Sequence, residues 1–397
     1  MIYQNITLFA GFLLLYSLFA GRFESRIVSG PLMFLLAGCL LGPGFLGLLN
    51  IQIDGSGLRL LAEITLAIVL FTDAANANLT VLRANNWIPL RLLLIGLPLC
   101  LIAGYLIGLL LFPNMHWLEV AILATILAPT DAALGKAVGS NPAVPAPVRE
   151  GLNAESGLND GICVPILLLL LVLIAPEEQH RGTFGTAVHL FVEEIGIGFV
   201  VGVSLAYITA NLLHFAAKNG WIKPVWRQLI LPGLAVLSFS LAQWMGGSGF
   251  IAAFICGLFI AYLLPAHKHE FLETNEQFGD LFSVLVWLAF GAGIIAQAWP
   301  FFTWQTWLYA FASLTIIRMI PVLLSLVNTT LVFEQRLFIS WFGPRGLASI
   351  VFLLIAVQYD LTAANQISAT VIATIFLSVV LHGISANPWV SRFKSIT

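Results

Sequence analysis

Charge is what this sequence has least of. Asp, Glu, Lys and Arg make up 9% of the 397 residues, against roughly 25% in an ordinary soluble domain. Hydrophobic residues make up 59% and mean hydropathy is +0.97, which excludes a soluble globular protein. The 17 basic residues are balanced by 19 acidic ones, so there is no broad polycationic surface and nucleic acid is excluded as a partner. Cysteine is also sparse. Cys39, Cys100, Cys163 and Cys256 stand singly in apolar runs, with neither the paired spacing of a zinc site nor a disulfide framework. No Lys or Arg precedes Gly21, and no small-residue cleavage pattern follows the first apolar stretch. A secretory signal is therefore not expected, and this stretch reads as a first membrane span.

What is there is apolar run after apolar run. A hydrocarbon core of about 30 Å takes roughly 20 helical residues to cross. Apolar windows between polar or Gly/Pro breaks predict about thirteen helices, at 4–21, 27–46, 57–78, 87–112, 117–138, 149–174, 184–216, 225–245, 248–265, 277–298, 303–330, 336–357 and 365–390. The fold class read from this is an all-α polytopic membrane protein without a separate soluble domain. Loop charge orients it. With the N-terminus outside, Arg22, Arg26, Arg83, Lys136, Arg149, Lys218, Lys223, Arg227, Lys268, Arg336, Arg392 and Lys394 lie on the inner side, and only Arg59 and Arg181 on the outer. That is the positive-inside pattern, and it puts the C-terminus in the cytoplasm.

Two of the thirteen windows are interrupted. The fifth contains Ala128-Pro129-Thr130-Asp131, and the twelfth, entering from the opposite side, contains Gly343-Pro344-Arg345-Gly346. Proline withdraws a backbone donor and breaks the turn, and such breaks in corresponding spans point to an inverted repeat whose broken helices cross at a site. The competing reading is two proline kinks in helices that never meet.

The carboxylates follow the breaks. Asp131 lies fourteen residues after Trp117, and Asp160 eleven after Arg149, so at 1.5 Å per residue both sit roughly 15–20 Å below their surfaces, near the midplane. On the sixth helix, Ser156 and Asp160 are four apart, as are Glu155 and Asn159, which makes two adjacent polar stripes on one side. An ionised group at that depth costs several kcal/mol unless paired or wetted, and is read as functional. A midplane carboxylate can hold a proton or a hard monovalent cation but not both, and that competition suffices to exchange one for the other. Thr130, Asp131 and Ser156 add the oxygen ligands that hard cations prefer. For Thr130 and Ser156 the plainer alternative is that small hydroxyl residues only join helices. Glu155 reads as a charge-balancing partner for the intramembrane Arg318, and Arg345 as a fixed charge opposite half-helix carbonyl ends.

Pro129-Thr130-Asp131, then Glu155-Ser156-x-x-Asn159-Asp160-Gly161, then an Arg in helix eleven and Gly343-Pro344-Arg345-Gly346, resemble the NhaP-type sodium/proton exchangers of the monovalent cation:proton antiporter superfamily, in span number and motif order along the whole chain. The resemblance implies a homodimer in the lipid bilayer, with dimerisation helices in 1–82 and 176–300 and ion-carrying helices in 83–175 and 301–397. It implies that Asp160 binds the ion or proton, that Asp131, Thr130 and Ser156 lend ligands, and that Glu155 and Arg318 form a buried pair, with Asn159 and Arg345 supporting. Asn159, where relatives with two-proton exchange carry Asp, implies electroneutral exchange of Na+ (or Li+ or K+) for H+, without a cofactor. Two departures stand out. Ala132 follows Asp131 where the family often has proline, and only Ser391–Thr397 follow the last window, so no regulatory tail is expected. Compactness points to an inner bacterial membrane.

Rival readings come from other classes. Gly246-Gly247-Ser248-Gly249, with His382 as a nominal base, fits a rhomboid-like protease pattern, but such a match is nearly expected among 34 glycines. Gln277-Phe278-Gly279-Asp280 lacks the first Gly of an intramembrane aspartyl protease. A sodium-coupled solute symporter of similar fold would need a roomy polar cavity. Among weaker signals, the stretch from His267, Lys268 and His269 to Asp280 reads as a solvated inner loop whose histidines are candidates for pH sensing. Asp73 reads as a helix-end residue. Trp299, Trp304 and Trp307 read as an outer aromatic belt.

Overall fold

A computed structural model describes residues 2–23, 30–49, 56–76, 88–131, 144–175, 184–264, 268–294 and 298–394. Every regular element among them is helical. In chain order these are α1 (Ile2–Phe23), α2 (Gly30–Leu41), α3 (Ser56–Asn76), α4 (Ile88–Arg91), α5 (Leu97–Leu111), α6 (Trp117–Ile126), α7 (Ala146–Ile174), α8 (Phe184–Lys218) and α9 (Pro224–Arg227). There follow α10 (Ile230–Trp244), α11 (Gly249–Leu263), α12 (Lys268–Ala289), α13 (Trp304–Leu314), α14 (Ile316–Ser325), α15 (Phe333–Trp341), α16 (Leu347–Ala356) and α17 (Ala364–Lys394). A π turn at Leu92–Gly96 joins α4 to α5, and another at Phe290–Ile294 extends α12. Seven helical stretches are long and apolar enough to cross a membrane, and shorter apolar helices accompany them.

These segments fall on all thirteen predicted windows. The ends at 27–29, 77–78, 87, 132–138, 265 and 295–297 lie outside the described residues. Apolar side chains face outward as well as inward: Leu14, Leu18, Leu110, Val200, Tyr207 and Trp244 are exposed. In water this would be costly, whereas lipid chains satisfy such a surface, and the helix closes its own backbone hydrogen bonds.

The structure corrects one reading and adds a break. Residues 268–280, read as a solvated loop, form the first turns of α12. Their polarity concealed one buried face: Asn275 is fully buried and donates to Thr72 Oγ1, while Glu276 accepts from Asn76. His267 and the side chain of His269 lie outside the described residues. The eleventh window is two helices, because Thr315 leaves helical angles (φ −110, ψ −91) between α13 and α14. Pro321, inside α14, has no N–H for the Ile317 carbonyl, which loosens the turn above it. Trp304 and Trp307 are exposed, as a belt requires.

The chain divides into two compact units, one of residues 1–59, 79–159 and 284–397, the other of 60–78 and 160–283. In the first, α5 packs on α6, α13 lies along α17, and α14 touches α5 and α15. Its apolar core includes Leu92, Val148, Val322, Phe338, Ile339 and Phe342. In the second, α8 packs along α11 and α10.

Candidate functional site

The site is built where two helices stop. α6 ends at Ile126 and the chain runs on through Leu127–Asp131 without helical structure; α15 ends at Trp341 and α16 begins at Leu347. Each break strips backbone groups of their helical partners, and in a buried setting those groups must find others. They find one another. Asp131 N donates to Pro344 O at 2.8 Å. The predicted crossing pair therefore meets at its breaks.

Side chains close the crossing reciprocally. Arg345 Nη1 donates to Ala128 O (2.5 Å) and Pro129 O (2.9 Å), the carbonyls just beyond α6. Ser349 Oγ donates to Ile126 O at 2.7 Å. From the other helix, Asp131 Oδ2 accepts from Leu347 N at 2.7 Å, at the first turn of α16. A cation thus faces the carbonyl end of one half-helix and an anion the amide end of the other, the arrangement that helix dipoles favour. Gly346 permits it. A Cβ at that position would overlap the Asp131 carboxyl group. We therefore expect Gly346→Ala to push Asp131 off Leu347 N, costing about 1–3 kcal/mol as a lost cap plus overpacking. A melting curve in detergent checks this, and an unchanged midpoint would contradict the geometry.

On α7, Asn159 Nδ2 donates to Thr130 Oγ1 at 2.7 Å, and Thr130 Oγ1 lies 3.0 Å from Ser156 Oγ. The three form one hydroxyl–amide cluster, in which Asn159 Oδ1 has no donor among the described residues. Asp160 follows Asn159 on the same helix, one turn beyond Ser156, and is buried. Behind them, Arg318 Nη1 and Nη2 reach Glu155 Oε1 and Oε2 at 2.5 and 2.7 Å, a bidentate pair with both side chains 2% exposed. Arg318 also touches the second break, since a Cβ on Gly343 would meet its guanidinium. All eight residues singled out in the sequence are buried.

Other contributors escaped the sequence reading. Glu119, 1% exposed, accepts from Thr362 Oγ1 (3.0 Å), Ala363 N (2.8 Å) and His116 N (3.2 Å), tying the start of α6 to the start of α17. Its position three residues after His116 is the spacing of a capping box and was a usable signal. The serine-protease reading loses its residues to helix ends. Ser248 Oγ caps α11 by accepting from Ile251 N, and His382 bonds within α17 and to Trp341 O.

An all-helical, multi-pass membrane protein with two broken helices crossed at a buried carboxylate and hydroxyl cluster is the class that these observations define. The model of the family described as sodium/hydrogen exchanger, transmembrane, matches residues 9–392, and the chain belongs to that family. Among curated relatives it is 24% identical over 361 residues to the K(+)/H(+) antiporter NhaP2 of Shewanella baltica (strain OS223), covering 89% of this chain and 60% of that protein. It is 24% identical to the K(+)/H(+) antiporter NhaP of Alkalimonas amylolytica, over 97% of this chain and 66% of that one. To the Na(+)/H(+) antiporter of Schizosaccharomyces pombe it is 24% identical over 72% of this chain and 68% of that one. The chain thus spans about 60% of the length of the NhaP2 relatives that it matches. The solved structure of the sodium proton antiporter MjNhaP1 from Methanocaldococcus jannaschii at pH 8 superposes with a TM-score of 0.78 at 22% identity, covering 99% of this chain and 98% of that one, and so shares its fold.

Proposed function

We propose that this protein exchanges a monovalent cation for H+ across a membrane, with Asp160 as the group that holds one or the other. The observation that carries the reading is the crossing itself. Its backbone ends are compensated by Arg345 and Asp131, and the Thr130–Ser156–Asn159 cluster meets α7 at residues that immediately precede Asp160 in the chain. An oxygen-only donor set suits a hard monovalent cation. Asp131 is a neighbouring oxygen ligand in this reading, and its Oδ2 accepts from Leu347 N. Glu155 is held by Arg318, so it balances charge and does not bind cargo. Asn159 gives the exchange a single titrating carboxylate in this pair of positions, hence one H+ per cation.

The cation is Na+ in the motif's reading, with K+ and Li+ as alternatives; relatives bear both Na+ and K+ names. The protein works as a homodimer in a bacterial inner membrane, N-terminus outside and C-terminus cytoplasmic, with the helices of 83–175 and 301–397 moving against the rest. The test is reconstitution in liposomes carrying an imposed pH gradient, with Na+, K+, Li+ and Ca2+ added in turn. Collapse of the gradient by a monovalent cation is the expected result; a gradient indifferent to all of them contradicts the proposal. Thr130→Val should weaken the cation's apparent affinity by roughly five- to a hundredfold, since it leaves Asn159 Nδ2 without its acceptor, a loss of about 1–3 kcal/mol. Titrating the rate against cation concentration reads this directly, and an unchanged half-saturation point would remove Thr130 from the site.

A further inference from the structure

We propose that His382 and Ser378 form a strap across the break between α15 and α16, which makes His382 a positioning residue for the exchange reaction; the inference rests on the function proposed above. His382 is 2% exposed and Ser378 fully buried, one turn apart on α17. The ring's Nε2 lies 2.9 Å from Trp341 O, the last carbonyl of α15. Nδ1 lies 2.9 Å from Ser378 O, within α17, and 3.3 Å from Ser378 Oγ. Ser378 Oγ in turn accepts from Arg345 N at 2.7 Å.

Two side chains one turn apart on α17 hold the two sides of the break: the Ser378 hydroxyl accepts from Arg345 N–H, and His382 Nε2 pairs with Trp341 O. The two groups held are backbone groups on opposite sides of the break, and Trp341 O also accepts from Gly343 N at 2.7 Å. Trp341 is held further by its indole Nε1, which donates to Ser385 Oγ at 2.9 Å, and its ring lies 5.1 Å from the imidazole. The charged groups acting on the imidazole are Arg345 and Arg318. Both are cations, and Arg318 is already paired with Glu155. The strap fixes residues 342–346, and from that segment Arg345 reaches Ala128 and Pro129, while Asp131 reaches Pro344 and Leu347. His382 thus sets the site's register without touching cargo.

Three variants test this: His382→Ala, Ser378→Ala, and His382→Gln, whose amide supplies one donor and one acceptor. Two readouts are needed, backbone hydrogen exchange of the segment 342–347 in the purified full chain, and apparent cation affinity against maximal rate in liposomes across neutral pH. The expected result is lost protection at the Arg345 amide in both alanine variants, an apparent KM raised roughly fivefold or more, and restoration of both by glutamine with the wild-type pH profile. Alanine variants with wild-type protection and KM would overturn the strap. So would a glutamine variant with a displaced pH profile, because His382 would then be carrying the proton. If the wild type moves no cation, the exchange reading fails by itself, and amide protection still decides the strap. If the alanine variants do not fold, the glutamine variant alone decides it.

Discussion

Arg318→Ala should cost the protein about 3–5 kcal/mol of stability, the penalty for leaving a buried charge without its partner. Glu155 is 1% exposed and both its oxygens are taken by the Arg318 fork, so removal of the guanidinium strands a carboxylate where water does not reach. The same guanidinium fills the space over Gly343, and its loss opens a cavity beside the second break. Coupled to this is a rescue. The double variant Arg318→Met with Glu155→Leu removes both charges and keeps volume, and should recover most of the loss, since replacing a buried pair by apolar residues is often neutral or better. Unfolding midpoints for the single and double variants form the check. A single variant of normal stability that has lost cation binding would place Arg318 in the site instead.

Asp160→Asn should abolish exchange while leaving the fold intact. The substitution keeps the side chain's size and a polar atom at its tip, so α7 and the Thr130–Ser156–Asn159 cluster should persist. What it removes is the only property the mechanism requires of this residue, a charge that a proton can cancel and a cation can balance. Rates should fall to those of protein-free liposomes for every cation, and the melting temperature should hold or rise, because a buried ionisable group is costly to keep. Asp131→Ala should behave differently. It removes the acceptor of Leu347 N at the first turn of α16, so it should lose both stability and transport.

Several of these features were legible in the residues. The thirteen windows follow from hydropathy alone, because a span must be apolar along its length. The crossing of the fifth and twelfth windows followed from Pro129 and Pro344, and the Glu155–Arg318 pair from the cost of two opposite charges at depth. What stayed hidden depends on where backbone groups point after a break. That Asp131 caps α16, that Arg345 takes the Ala128 and Pro129 carbonyls, and that His382 reaches Trp341 O are contacts over 41 to 217 positions of sequence. No local pattern encodes them. The opening turns of α12 were misread for another reason, since their polar residues hide one buried seam against α3.

The central claim is that cation and proton compete for a single carboxylate, and the dependence of apparent cation affinity on pH tests it most directly. With wild-type protein in liposomes, the cation's apparent KM should rise about tenfold for each pH unit on the acidic limb, as mass action for one shared site requires, while the maximal rate changes far less. An apparent KM that stays constant across that limb would mean that the two ions bind apart, and Asp160 would not be the seat of exchange.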